Sequence, residues 1–326
     1  MDNSSQIIEA SHILQSGGVV AFPTETVYGL GANVFNTEAL KHIFHIKKRP
    51  VDNPLIVHIA SLDMLPALVT HISPYNQKLI DHFWPGPLGI VFPKSNLIPD
   101  IVTAHLDTVV IRFPSNRIAQ ELINTCGFPI AAPSVNPSGK PSSTHHDHVK
   151  DYFGDHVFVI EGDASSIGIE STVITTLDNP RILRQGAVTQ AELEQVLGIP
   201  LDNTSETLHL PQSPGMKYPH YAPNAPIHLV AIQDDILDII TTYTKQGYTV
   251  GALVSSEIYH HLPDSVIGFD LGSRDNYQTL SARLYNGLHF FDSSPVTLII
   301  AESFQPIGMG VALMDRLSRA ASNTPI

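Results

Sequence analysis

Between residues 201 and 225 the apolar periodicity of this chain lapses, and beyond that stretch it restarts in a different pattern. Pro211, Pro214, Pro219 and Pro223 fall inside it, with Pro226 just after. Proline fixes φ and supplies no backbone N–H, so such a stretch reads as an extended linker. It divides the chain into residues 1–200, the linker 201–225 and residues 226–326. In the last part, strands predicted at 227–231, 249–254, 266–270 and 296–301 alternate with helices at 234–246, 256–261, 276–291 and 309–321. Regular alternation with short gaps predicts a small parallel-sheet, Rossmann-like α/β domain. It carries no G-x-G-x-x-G, so no dinucleotide is assigned to it.

The first 200 residues read as a mixed α/β sheet domain. An amphipathic helix over 4–16 is stopped by Gly17-Gly18, and a strand begins at Val19. Asn36 is a plausible N-cap for a helix that carries Leu40, Ile43 and Phe44 on one face and delivers Lys47 and Arg49 at its end. Strands are expected at 55–59, 88–92, 109–113, 129–132, 157–160, 172–177 and 181–184, and helices near 75–83, 115–125, 145–153 and 189–197. Strands mixed with helices and hairpin-length gaps imply a mixed sheet. The N-terminus has no signal-peptide pattern and no segment is long enough to span a membrane, so a cytoplasmic protein is expected. The single cysteine, Cys126, reads as a packed residue.

Lys47-Lys48-Arg49 is the only run of three basic residues in a chain with 18 Lys plus Arg against 31 Asp plus Glu, a net charge of −13. A small cationic spot on an acidic protein suits a specific small anion better than a polyanion. It reads equally as a solvated cluster favoured by a helix C-terminus. Ser134 and Asn136 follow a strand at its carboxyl end, where α/β sheets bind ligands, and Ser-x-Asn-Pro-Ser-Gly is also good turn sequence. Thr24, Glu25, Thr26 and Tyr28 follow the first strand as a polar wall or a capped turn. His58, inside an apolar strand, is either a core histidine or a substrate contact. Arg112 must meet an anion, a structural carboxylate or a ligand. His145, His146 and His148 lack the i, i+4 spacing of a helical metal site, and Thr144 looks like an N-cap for the helix that follows. No P-loop and no basic–aromatic stripe is present.

Read together, these fragments resemble a known family. Phe22-Pro23-Thr24-Glu25-Thr26-Val27-Tyr28-Gly29-Leu30-Gly31 resembles the YrdC-like signature, and Lys47-x-Arg49 with Ser134-x-Asn136 resembles that family's tetrad. Phe83-Trp84-Pro85-Gly86-Pro87-Leu88 and Gly168-Ile169-Glu170-Ser171-Thr172-Val173 resemble two further blocks. Ser213-Pro214-Gly215-Met216-Lys217-Tyr218 and His220-Tyr221-Ala222-Pro223 look like the linker of the long, two-domain threonylcarbamoyl-AMP synthases. Pro219 departs from the basic residue that linker often carries.

The resemblance implies an α/β protein with a twisted mixed-sheet YrdC-like domain, a linker over the active site and a smaller C-terminal Rossmann-like domain. It implies a nucleotidyltransferase that joins L-threonine, bicarbonate or CO2, and ATP into threonylcarbamoyl-AMP and pyrophosphate. Mg2+ is expected with ATP, its protein ligands unknown. The product feeds threonylcarbamoyl modification of adenosine in tRNAs reading ANN codons, through downstream transfer proteins, with no membrane role and no strong expectation of direct tRNA binding. Lys47, Arg49, Ser134 and Asn136 carry over as catalytic. Arg49, Asn53, Thr108, Ala132, Ser134, Ser142, Arg184 and Tyr221 carry over to ATP, and Thr26, His58, Arg112 and Ser171 or Thr172 to threonine. Two other readings stand beside it: a carbamoyltransferase of hydrogenase maturation, opposed by the lack of a cysteine-rich finger, and an RNA-binding module, opposed by the net charge.

Overall fold

A computed structural model describes residues 3–202 and 221–322, and they fall into two compact units. The first holds residues 3–138, 143–166 and 170–202. The second holds 139–142, 167–169 and 221–322. Two short pieces of the expected first domain thus group with the second unit. Most of the expected linker, with Lys217, Tyr218 and Pro219, lies outside the described residues.

The first unit is built on one nine-stranded sheet. Its strands are β1 (Val20–Phe22), β2 (Gly29–Asn33), β3 (Ile56–His58), β4 (Leu88–Pro93), β5 (Thr108–Arg112), β6 (Ile130–Ala132), β7 (Phe158–Val159), β8 (Thr172–Thr175) and β9 (Arg181–Arg184). They lie in the order β7-β1-β2-β6-β3-β5-β4-β8-β9 and mix parallel with antiparallel pairs. Strand β2 is the strand that the sequence pattern did not announce, and the short helices Leu65–Leu68 and Asp100–Thr103 were likewise unexpected. Glycines are poor strand residues in isolation, but here Gly31 is required. A Cβ on it would come within 2.6 Å of Ile130 and 2.8 Å of Phe22.

Opposed residues on neighbouring strands share a face, so the register sorts the sheet's two sides. One side carries Leu30, Val57, Ile90, Phe92, Ile111 and Ile174, buried under helices Thr37–Lys47, Pro74–Phe83 and Gln190–Leu197. On the other side, helices Asn3–Gln15 and Arg117–Cys126 cover only Val20, Phe22, Ile130 and Ala132. The same side continues into a separate small cluster of Ile56, Val91, Val110 and Val173. Cys126 packs within the helix-covered part, and burial pushes its thiol up to about 12, so it is inert.

Local signals set the helix ends. Asn36 caps its helix by accepting from the N–H groups of Glu38 and Ala39, worth about 1 kcal/mol. Thr189 and Glu192 form a capping box. Thr144 is not the cap expected of it. Its carbonyl accepts from Ser165 N–H and its N–H donates to His148 Nδ1, so the chain is still tied to a neighbouring segment there. His145 caps instead, its Nδ1 accepting from Asp147 N–H.

In the second unit, β10 (Ile227–Val230), β11 (Val250–Val254), β12 (Ile267–Asp270) and β13 (Leu298–Glu302) form an all-parallel sheet in the order β10-β13-β11-β12. Helices Ile236–Lys245, Ser256–Tyr259, Tyr277–Asp292 and Gly310–Ser322 alternate with the strands, as the periodicity predicts. No helix among the described residues is long and apolar enough to cross a membrane.

Candidate active site

The cluster of Ile56, Val91, Val110 and Val173 is the floor of a polar site with two ends. At one end the register runs Arg184–Val173–Gly89–Arg112–His58–Ile130 across the sheet, placing Arg184, Arg112 and His58 in one row on one face. Thr108 lies four residues back along β5, about 13 Å away at ~3.3 Å per residue. Strand β6 runs antiparallel to β3, so Ala132 stands opposite Ile56 and Ser134 continues toward Pro54 and Asn53. His58 and Arg112, carried over to threonine, thus lie at one end of the face and Asn53, Thr108, Ala132 and Ser134, carried over to ATP, toward the other, while Arg184, carried over to ATP, stands in the Arg112 row.

The signature loop builds the first end. Thr24 shapes it by donating to Val27 O at 2.6 Å and meeting Thr26 Oγ1 at 2.9 Å. Arg112 is buried; its Nη1 donates to Thr26 Oγ1 at 2.8 Å, and its Nη2 pairs with Glu25 at 2.7 Å. Of the two readings for Arg112, a structural carboxylate is thus present. Burial alone would raise the Glu25 carboxyl, but the charge and hydrogen bond of Arg112 and the N–H of Ser115 hold it below the ordinary carboxylate range. Burial, then the Arg112 charge, push His58 down to about 3, so its imidazole is neutral at pH 7. Tyr28, by contrast, sits in the main core on the other face.

Ser171 and Thr172 are resolved by parity. Thr172 opposes Leu88 on the core face, and its hydroxyl donates to Val188 O at 2.7 Å. The expectation that its side chain meets substrate is corrected accordingly. Ser171 falls on the site face and accepts from Arg184 Nη2 at 3.0 Å, while Arg184 Nε donates to Ser171 O at 3.0 Å. This fit needs Gly186, where a Cβ would lie 2.2 Å from Thr172 N.

At the other end, the Thr37–Lys47 helix closes with Lys48 N–H on His45 O and Arg49 N–H on Phe44 O. Lys48 takes φ 51° and ψ 41° there. That turn sends Lys47 inward and Arg49 toward the Asn53 loop. Lys47 is buried, its Nζ donating to Ser134 O at 2.7 Å and to Asn136 O. Burial, then the charge of Arg49, push Lys47 well below the ordinary lysine value, opposed by Glu170. Ser134 Oγ donates to Asn136 Oδ1 at 2.6 Å. Arg49 donates from Nε to Asn53 O at 3.2 Å and from Nη2 to Pro54 O at 3.0 Å. Lys47, Ser134 and Asn136 of the tetrad read from sequence form one hydrogen-bonded group, in which Lys47 donates mainly to carbonyls, while Arg49 donates to the backbone of Asn53 and Pro54.

Ser142 and Tyr221 belong to the second unit. Ser142 is fully buried there, its carbonyl 3.2 Å from His289 Nε2. Tyr221 is buried with its ring 5.3 Å from that of Tyr285 and under the guanidinium of Arg316 at 5.7 Å. Glu25 is the residue to which the sequence assigned no function of its own. The available signal was a lone carboxylate in a polar loop beside an arginine that required an anion.

Buried polar atoms normally find partners. Glu25 Oε2, Asn53 Oδ1, His58 Nδ1 and Arg112 Nη2, the last ion-paired with Glu25, are buried without a directed hydrogen bond in this site, and His146, Ser255 and Ser281 each have one such atom elsewhere among the described residues. Together the four in this site offer a carboxylate oxygen, a neutral imidazole and a guanidinium, a set suited to a small zwitterion, at one end and one neutral acceptor, Asn53 Oδ1, at the other.

Known proteins match this arrangement. The Sua5–YciO–YrdC family model, described as "Telomere recombination", matches residues 12–186, and one described as "Threonylcarbamoyl-AMP synthase, C-terminal domain" matches residues 188–322. The threonylcarbamoyl-AMP synthase of Bacillus subtilis is 43% identical over 330 residues, covering 99% of this chain and 95% of the relative. That of Pyrococcus abyssi is 40% identical, covering 96% and 93%. The crystal structure of P. abyssi Sua5 complexed with L-threonine superposes with a TM-score of 0.91 at 39% identity, over 99% of this chain and 95% of that one. The chain belongs to the threonylcarbamoyl-AMP synthase family, in the long form that joins a YrdC-like domain to a Sua5 C-terminal domain.

Proposed function

We propose that this chain forms threonylcarbamoyl-AMP and pyrophosphate from L-threonine, bicarbonate or CO2, and ATP, as a step toward threonylcarbamoyladenosine in tRNAs that read ANN codons. The observation that carries this reading is the set of buried polar atoms left without a hydrogen bond, Glu25 Oε2 and His58 Nδ1 beside the Arg112 guanidinium at one end of the apolar floor and Asn53 Oδ1 at the other. Threonine lies at the Arg112 end, its carboxylate on the guanidinium that Glu25 and Thr26 hold in place, beside His58 and Ser171. The P. abyssi relative's complex with L-threonine supports that ligand. ATP lies at the Lys47 end against Arg49, Asn53, Thr108, Ala132, Ser134 and Asn136, and Arg184, fastened to Ser171 in the Arg112 row, meets it from the threonine end.

The threonine amine adds to CO2 to give a carbamate with loss of a proton. A carbamate oxygen then attacks the α-phosphorus, and the bond to the β-phosphate oxygen breaks. The carbamate is already an anion, so the protein supplies no nucleophile. Its task is to hold two anions in line and neutralise the charge that develops. Neutral His58 and the unpartnered Glu25 oxygen suit the amine. Lys47 positions Ser134 and Asn136, while Arg49 supplies charge. Mg2+ comes with the nucleotide; neutral oxygens such as Asn53 Oδ1 fit an ion held mainly by phosphate and water.

Pyrophosphate release measured with ATP and Mg2+, omitting L-threonine or bicarbonate in turn, tests this function. Strict dependence on both is expected. Release that ignores threonine, or no release with every substrate present, would sink the assignment.

A further inference from the structure

Three metal-ligating side chains that the proposed reaction does not use meet at the start of the His146–Phe153 helix. His145 Nδ1 lies 3.1 Å from Asp147 Oδ2, and His146 Nε2 lies 3.5 Å from Asp147 Oδ1. The two imidazole centroids are 3.9 Å apart, and one donor atom from each of the three residues falls within 4.8 Å of the others. Ligand atoms around a tetrahedral ion at about 2.0–2.1 Å stand roughly 3.3 Å from one another. The three donors are near enough to converge on one ion by side-chain rotation, with His145 exchanging its cap contact for the metal. The i, i+4 argument against a metal here considers histidines alone. It misses Asp147, which the helix start folds back onto both rings.

Asp147, Glu161 and Asp163 all act on nearby Tyr28, and against these carboxylates stands the cation Lys150, which pairs with Glu161 at 2.7 Å and also acts on Asp147. A capping role accounts for His145, whose Nδ1 accepts from Asp147 N–H. It does not account for His146, whose Nε2 is the ring nitrogen that faces the Asp147 carboxylate. Two imidazoles and one carboxylate suit Zn2+, Co2+ or Ni2+, whereas Mg2+ prefers oxygen ligands.

We propose that His145, His146 and Asp147 form a site for a first-row transition-metal ion, with water completing the coordination, separate from the Mg2+ that accompanies ATP.

Titration of the chelator-stripped full chain with Co2+ alone, without nucleotide, tests this by visible absorption. One equivalent is expected to give the intense bands of four-coordinate cobalt, displaced by Zn2+. His146→Gln and Asp147→Asn should each weaken binding at least tenfold. His145→Asn keeps a good N-cap, so it should lose the cobalt spectrum while keeping the wild-type unfolding midpoint. His260→Gln, in a second adjacent-histidine pair, should bind as wild type. The proposal is overturned if the wild type gives no saturable spectrum, if His146→Gln retains full affinity, or if His260→Gln loses as much.

Discussion

The two ends of the site hold their buried cations in different ways. Arg112 is paired with a buried carboxylate, Glu25, whereas Lys47 is wrapped mainly in carbonyl oxygens and its ammonium is disfavoured. A cation locked to a carboxylate stays charged and in place, and so makes a permanent receptor for a substrate carboxylate. A lysine among carbonyls tightens a loop instead, and leaves charge neutralisation to its partly exposed neighbour Arg49.

The largest effect should follow from breaking the ion pair. Glu25→Ala leaves Arg112 buried and uncompensated, so chemical denaturation should show a loss of about 3–5 kcal/mol. Lys47→Met removes a cation whose partners are mainly neutral and should cost about 1–3 kcal/mol. Equal losses would break the comparison. For turnover the order reverses within the tetrad: Arg49→Ala should lower pyrophosphate release about 10²–10³-fold while changing stability little.

Protonation sharpens the same contrast. His58 takes up its proton only near pH 3 when folded, against 6.5 in the unfolded chain. Between those values the unfolded chain holds more protons, so stability falls as the pH falls from 6.5 toward 3 and is flat above. His289 in the second unit, lowered to about 4, acts in the same direction. In urea melts across that range, His58→Gln should have a shallower acid limb than the wild type. Lys47 is lowered from 10.5, so its contribution rises with pH up to about that value. Lys47→Met should therefore flatten the alkaline limb. The smallest effect concerns the turn between the two tetrad cations. Lys48→Gly relieves a left-handed backbone at φ 51° and should raise stability by about 1 kcal/mol, read as a higher thermal midpoint.

Where signals were local, the sequence was readable. Asn36 announced its cap, and the strand–helix alternation after residue 226 announced the parallel sheet. What was missed depends on distant partners. Strand β2 is specified by the tight fit of Gly31 against Ile130 and Phe22, which no local propensity reveals. The choice between Ser171 and Thr172 needed the register with β4, because one residue of offset swaps sheet faces. Glu25 and Arg112 are 87 positions apart in sequence, so the carboxylate that Arg112 required could not be named before the fold brought the signature loop to β5. The family resemblance named Lys47, Ser134 and Asn136 together, and the fold brings these three into contact, although Lys47's engagement with carbonyls was not legible.

The central claim is that one sheet face carries an amino-acid end and a nucleotide end. Calorimetric titration of L-threonine and of ATP, each alone, against Glu25→Gln/Arg112→Gln and Ser134→Ala tests it most directly. The double variant leaves no stray buried charge, and it should lose threonine binding while keeping most of its ATP affinity. Ser134→Ala should show the converse. If the double variant loses ATP and keeps threonine, or if both variants weaken both ligands equally, the division of the face into two ends is wrong.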